Sequence, residues 1–395
     1  MLSNQLTVLH IAGVDMYLRL PSIVRLRDLG INMVAAGSCE ADKFELAGIP
    51  FHHYPLARGA NPIADRESRK RLTEIIRDVN PNVVHSFSTK PCVLVPPVAR
   101  AVGVPAVLRT VCGLGSIYSS ETLKIRLMRI PYLMLHRRAS RAANFTVFQN
   151  ADDHALFKSK SVVTEANSVL IPGSGIDIAA LKAKLPDFTE RERLRKELRL
   201  GKGPVMLMAS RLVRQKGVVE FLQSAREIKQ QHPETTFLLI GPVAGEGGDA
   251  VSLKTIQEYA DCVNYLGYRS DMPALMSLSD VFVLPTRYRE GVPRVLMEAA
   301  ALGLACVTTN MPGCRDVIHD GQTGLMIEPG DQPALTSALQ RLVASPELRS
   351  ELGQSATARI QSRFEMEHII NAYIDAYGTA LGTTIEPAKP VRRAA

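Results

Sequence analysis

Apolar runs of strand length alternate along this chain with amphipathic stretches of helix length, and glycine or proline stands at most of the joins. LTVLHIA at 6–12 is followed by Gly13, Val14 and a helical stretch ending near Gly30. NMVAAG from Asn32, then PIADRESRKRLTEIIRDVNP, then NVVHSFS from Asn82 repeat the pattern. Alternation at this spacing calls for crossover connections, and hence for a parallel, doubly wound α/β sheet with ligands at the strands' carboxyl ends. Loop residues directly after strands therefore matter most. These are Gly13, His85 and Ser86 with Thr89 and Lys90, and Gly113, Leu114 and Gly115.

A chain of 395 residues exceeds one ordinary core and reads as two domains of similar size. The second begins at Gly203–Ser210, where the strand VMLMAS runs into Arg211, Lys216 and Gly217 ahead of the helix VVEFLQSAREIKQQ. Arginine and lysine beside a helix N-terminus make a seat for a diphosphate, although two solvated loop cations would look the same. Further on, Val281–Leu284 has the character of a buried strand that Pro285 stops. A helix from about Pro293 to Leu302 follows, with proline suited to its first turn and Gly303 closing it. Glu290 lies in the loop ahead of that helix and Glu298 on it, so both carboxylates are placed to accept sugar hydroxyls. Glutamates are more often solvated surface charges.

Composition excludes several classes. With no Trp and only 5% aromatics, a stacking platform for single-stranded nucleic acid has little to be built from. Cys39, Cys92, Cys112, Cys262, Cys306 and Cys314 show neither a CxxC pair nor zinc spacing, as expected of free thiols in a reducing cytoplasm. The N-terminal stretch lacks the basic region and cleavage site of a secretory leader, and no apolar run would span a bilayer. There is no G-x-x-x-x-G-K-[ST], HExxH or D-x-D. The last absence argues against a metal-held diphosphate and leaves cationic side chains to do that work. Residues 1–185 carry 23 Lys and Arg against 14 Asp and Glu, the remainder 24 against 25, so the N-terminal half holds the basic excess. That excess suits an acidic partner such as phosphate-bearing lipid, an anionic membrane or nucleic acid.

The order Glu290, Gly291, Pro293, Glu298, Gly303, Pro312, Gly313 resembles the E-x7-E signature of retaining glycosyltransferases of family 4. The resemblance implies the GT-B fold, two Rossmann-like doubly wound domains facing a cleft. It implies that Glu290 contacts the donor sugar and Glu298 the nucleotide ribose, while Arg211 and Lys216 hold the donor diphosphate with the amides near Gly291, Val292 and Pro293. Gly267 and Tyr268, in a loop with Arg269, would bind the base. Gly13 stands alone where the family has a glycine pair. The resemblance divides the chain into residues 1–180 with a returning helix at about 365–382, residues 181–364, and a tail at 383–395 expected to be disordered. DVIHDGQTGLMIEPGD is similar to the family's closing hairpin and loop.

VVHSFSTKP and TVCGLGSIYSS resemble a narrower group, bacterial transferases that assemble glycans on undecaprenyl diphosphate. This implies a UDP-sugar donor, a hexosamine such as GalNAc or GlcNAc, and a lipid-linked saccharide acceptor, without metal or nucleic acid. Ser119 or Ser120 can cap a basic amphipathic helix in which Leu123, Leu127, Ile130, Met134 and Leu135 interleave with Lys124, Arg126, Arg129, Arg137, Arg138 and Arg141, with Pro131 as a kink. Residues 121–141 would lie on an anionic membrane, making the protein peripheral on the cytoplasmic face. An ordinary solvated surface helix is the alternative.

His85 is the acceptor-side residue for orienting a hydroxyl or sharing its proton, although a lone histidine is more often packed. His10 reads as strand interior, His136 as surface helix and Cys112 as a small core residue. Two other functions fit part of the pattern: a nucleotide-sugar epimerase on the same scaffold, and a non-catalytic basic protein that binds nucleic acid.

Overall fold

The computed structural model describes residues 6–57, 59, 61–119, 122–243 and 249–387. The chain divides into two compact units, one running to Gly175 and resuming at Met366, the other Ile176–Glu365.

The first unit is built on β1 (Thr7–Ile11), β2 (Asn32–Gly37), β3 (Phe51–His53), β4 (Val83–Phe87), β5 (Ala106–Val111), β6 (Phe145–Phe148) and β7 (Ser168–Leu170). These form one parallel sheet in the order β3-β2-β1-β4-β5-β6-β7. Alternation along β1 decides its two faces. Val8 packs with Ile23, Leu26 and the helix Met366–Leu381, while Leu9 and Ile11 pack with the helices Pro62–Val79 and Pro91–Val102. Helix Pro62–Val79 starts where Asn61 Oδ1 accepts from the Ala64 amide at 3.2 Å and stops at Asn80, whose φ of 45° is left-handed.

The basic helix spans Leu123–Ala142 and continues through Pro131. Its N-cap is Thr122, which makes no side-chain cap. Ser119 instead ends a short helix, Gly115–Ser119, with its Oγ on the Gly115 carbonyl at 2.9 Å. Ser120 lies outside the described residues. The expected tail is corrected over residues 383–387, where Thr383 donates to Gly378 at 3.0 Å and Ile385 packs on the first unit's core. Residues 388–395 lie outside the described residues.

The second unit carries β8 (Val205–Ala209), β9 (Thr236–Ile240), β10 (Asn264–Tyr265), β11 (Val281–Leu284), β12 (Ala305–Thr309) and β13 (Leu325–Ile327), all parallel, in the order β10-β9-β8-β11-β12-β13. Helices Val218–Gln231 and Gln332–Ala344 cover one face, and Arg294–Ala301 with Pro346–Arg363 cover the other. The expected hairpin near Gly324 is not formed. Asp320 to Gly324 make a turn, and β13 then joins the sheet edge parallel to β12.

In both sheets the strand order reverses once, between β1 and β4 and between β8 and β11. The crevice outside such a reversal is where doubly wound sheets bind ligands.

Candidate active site

In the second unit the loops leaving β8 and β11 meet at that reversal. They enclose a cavity of about 160 Å³ lined by Ser210, Arg211, Lys216, Glu290, Pro293 and Arg294, among others. Close backbone approach builds it. Gly217 opens helix Val218–Gln231 at φ 77°, and a Cβ there would lie 2.2 Å from the Pro285 carbonyl oxygen. Gly313, at φ 83°, leaves 2.3 Å between its own hypothetical Cβ and the Gly291 carbonyl oxygen. These two contacts need glycine, and they bring the β8, β11 and β12 loops together. The β12 end contributes Thr308 and Thr309, which donate to the Leu284 and Thr286 carbonyls at 2.9 and 2.5 Å.

Lys216 and Glu290 are ion-paired, with side chains only 13% and 17% exposed. The Lys216 ammonium also lies 5.2 Å from the centroid of the Tyr288 ring. Arg211 stands exposed beside the pair and forms no ion pair among the described residues. Pro293 occupies the N-cap position rather than the first turn, and Arg294–Ala301 is the helix. Its amino end therefore faces the cavity, with Arg294 Nε 2.8 Å from Glu298 Oε1 one turn along. Gly291, Val292 and Pro293 are buried and shape the loop floor.

The loop after β10 is tied to the same place. Gly241, at φ 144°, sits against the Ser210 carbonyl, and its amide donates to Gly267 at 2.8 Å. Gly267 itself has φ 68°, and Tyr268 beside it is 75% exposed, open to stacking. Thus Glu290, Arg211, Lys216, Gly267, Tyr268 and Gly291–Pro293 all lie in the connections at the carboxyl edge of one sheet, with Glu298 one turn into the helix beside them. Among the described residues, no group of three or more His, Cys, Asp or Glu is placed to hold a metal ion.

Gly13 belongs to the first unit, where its carbonyl accepts from Met16 and Ser38, both at 3.3 Å. His85 belongs there too, and its reading as an acceptor-side residue is corrected. The ring is wholly buried, with Nδ1 2.8 Å from the Tyr377 hydroxyl and Nε2 2.7 Å from Thr110 Oγ1, leaving neither nitrogen open to a substrate hydroxyl. Burial, with His10 and Arg19 nearby, holds its pKa well below the ordinary histidine value. His10 is strand interior; its Nε2 lies 2.8 Å from the same Tyr377 hydroxyl, and burial lowers its pKa to about 3. His136 is also buried, with Nδ1 3.2 Å from Arg109, so its reading as a surface residue is corrected. Cys112 is half-buried with its Sγ 3.4 Å from Arg19. All six cysteines are unpaired.

Sequence reasoning missed Tyr288, Thr308, Thr309 and Tyr377. VTTN at the end of β12 is a strand-to-loop signal of the kind that marked Arg211. Nothing local announces that Tyr377 reaches back across 292 positions to His85.

The fold and the chain's similarity to known proteins make it a glycosyltransferase of the GT-B fold. Residues 190–359 match the family Glycosyl transferases group 1. Over 373 residues, covering 93% of this chain and 96% of the relative, the chain is 28% identical to the N,N'-diacetylbacillosaminyl-diphospho-undecaprenol alpha-1,3-N-acetylgalactosaminyltransferase of Campylobacter jejuni. It is 26% identical to the UDP-Gal:alpha-D-GlcNAc-diphosphoundecaprenol alpha-1,3-galactosyltransferase of Escherichia coli, covering 82% of this chain and 81% of that one. Anabaena Alr3699/HepE, solved in complex with UDP, has the same fold, with a TM-score of 0.77 at 18% identity over 94% of this chain and all of that one.

Proposed function

We propose that the protein is a retaining glycosyltransferase of family 4 that moves a hexosamine, GalNAc or GlcNAc, from a UDP-sugar to a saccharide carried on polyprenyl diphosphate. The Lys216–Glu290 pair beside Arg211, at the β8/β11 reversal, carries the reading. Breaking the bond from sugar to diphosphate develops negative charge on the departing phosphate. Preorganised cations and a helix N-terminus aimed at it are the strongest lever available. Lys216, Arg211 and the amino end of Arg294–Ala301 supply them here, so the reaction proceeds without a divalent cation. Glu290, in contact with the ammonium, is placed to bridge from the phosphate seat to the sugar hydroxyls. Glu298 lies one turn into the helix, toward the ribose. The two relatives named for transfer to undecaprenyl-diphosphate-linked sugars support the donor and acceptor classes.

The acceptor's lipid places the work at the cytoplasmic face of a membrane, and helix Leu123–Ala142 is the element that meets it. Leu123, Leu127, Ile130 and Met134 share one face and are 72, 59, 60 and 62% exposed, flanked by Arg126, Arg137, Arg138 and Arg141. No helix among the described residues is long and apolar enough to cross a bilayer.

The deciding experiment incubates purified protein with each UDP-sugar and a synthetic polyprenyl-diphosphate saccharide, with and without EDTA, and weighs the lipid product. One hexosamine added, insensitive to EDTA, supports the reading. Interconversion of UDP-sugars without acceptor would make the protein an epimerase, and loss of transfer in EDTA would refute the cationic seat.

A further inference from the structure

On one face of the first unit, helices Pro62–Val79 and Leu123–Ala142 border a groove of about 400 Å³ over helix Pro91–Val102. Its floor and wall are apolar, including Leu94, Pro97 and Leu135, and Arg69, Arg77 and Arg138 stand around it. None of these three guanidinium groups has a carboxylate partner among the described residues; the neighbouring Glu74 is engaged by Arg71 at 3.1 Å. An apolar trough rimmed by three uncompensated cations suits an amphiphile with an anionic head, and arginine's fork suits phosphate.

The groove's position selects among such molecules. Helix Pro62–Val79 ends just before β4 and Pro91–Val102 just before β5, so Arg77 and the last turn of the second helix lie toward the amino edge of the sheet. That edge is opposite the carboxyl ends, where a parallel sheet presents its reactants. The groove also shares helix Leu123–Ala142 with the exposed apolar face described above. We propose that it is a site for one anionic phospholipid of the bilayer, its phosphate held by Arg69, Arg77 and Arg138 and an acyl chain lying over Leu94, Pro97 and Leu135. The proposal deepens the membrane reading of this helix and rests on it. It adds that the protein selects its lipid by headgroup, as well as lying on negative charge.

Dihexanoylphosphatidylglycerol, titrated below its micelle concentration into the full chain by calorimetry, tests the site apart from any membrane. Saturable binding is expected, with dihexanoylphosphatidylcholine weaker. R69Q/R77Q should weaken it by about tenfold or more, the loss of charge-assisted hydrogen bonds to phosphate, while UDP affinity is unchanged. No saturable binding, or equal binding by the variant, overturns the proposal. Equal affinity for glycerol phosphate overturns it in favour of a simple anion site. Tighter binding of farnesyl diphosphate overturns it in favour of the carrier lipid. Sugar transfer is measured separately, so failure of the proposed reaction would leave these outcomes readable.

Discussion

At the scale of single residues, Glu290 and Glu298 should part company. A carboxylate that holds the donor sugar while its bond breaks is worth most in the transition state, so Glu290→Gln should lower kcat and leave UDP affinity nearly intact. Glu298, proposed to meet the ribose and engaged by Arg294, should on replacement by Gln chiefly raise KM for the donor. Each loss of a hydrogen bond to a charged group costs about 1.5–3 kcal/mol, roughly ten- to over a hundredfold. Steady-state kinetics and UDP calorimetry on both variants check this, and parental kcat in Glu290→Gln would reduce that carboxylate to a loop charge. Arg211, Lys216 and Glu290 could be picked out in the sequence because each lies in a loop that follows a strand, and Glu298 because it sits one turn into the helix that the Glu290 loop enters. The pairing of Lys216 with Glu290 was not legible, since it joins loops 74 positions apart. His85 was misjudged for a local reason. β4 continues to Phe87, so His85 is mid-strand, and alternation turns it with Val83 and Phe87 toward helix Met366–Leu381.

At the scale of elements, that returning helix packs an apolar face on the sheet and adds one shared hydroxyl. Tyr377 Oη serves His10 and His85 at once, both at 2.8 Å, inside a core with no water-facing alternative. Tyr377→Phe should therefore cost about 1–3 kcal/mol for each ring nitrogen left unsatisfied, with denaturant unfolding as the measurement. A midpoint equal to the parent's would mean the hydroxyl is dispensable. Helix Leu123–Ala142 makes the opposite kind of prediction. Leu127→Glu with Ile130→Glu changes exposed positions, so stability should hold while sedimentation with anionic liposomes falls; unchanged sedimentation would remove the membrane role. The helices were legible from their periodicity. The segment around Gly324 was not, because a turn signal before a three-residue strand is shared by hairpins and by parallel edge strands.

At the scale of the whole molecule, the two units should respond unequally to acid. His10, His85 and His136 are buried in the first unit with lowered pKa values, His10 at about 3, whereas an unfolded histidine titrates near 6.5. Between those limits the unfolded state binds more protons, so the stability these rings contribute is present above pH 6.5 and is lost as pH falls toward 3. From pH 7 to pH 5 the loss for His10 alone is on the order of 2 kcal/mol. Hydrogen exchange at the two pH values should show the first unit's protection falling more steeply than the second's. Equal losses would show that the rings are not neutral and buried.

The first unit is interrupted in sequence: it breaks at Gly175, and the helix that covers His10 and His85 begins only at Met366. A ribosome adding about 5–20 residues each second therefore spends tens of seconds making Ile176–Glu365 before that helix exists. Throughout that interval the nascent first sheet has one apolar face unsealed, and the second unit, contiguous in the chain, can finish folding first. Translation thus gives the second unit the chance to mature before the first. A pause or premature stop late in the message would leave the earlier-made sheet, and not the later one, as the substrate for chaperones.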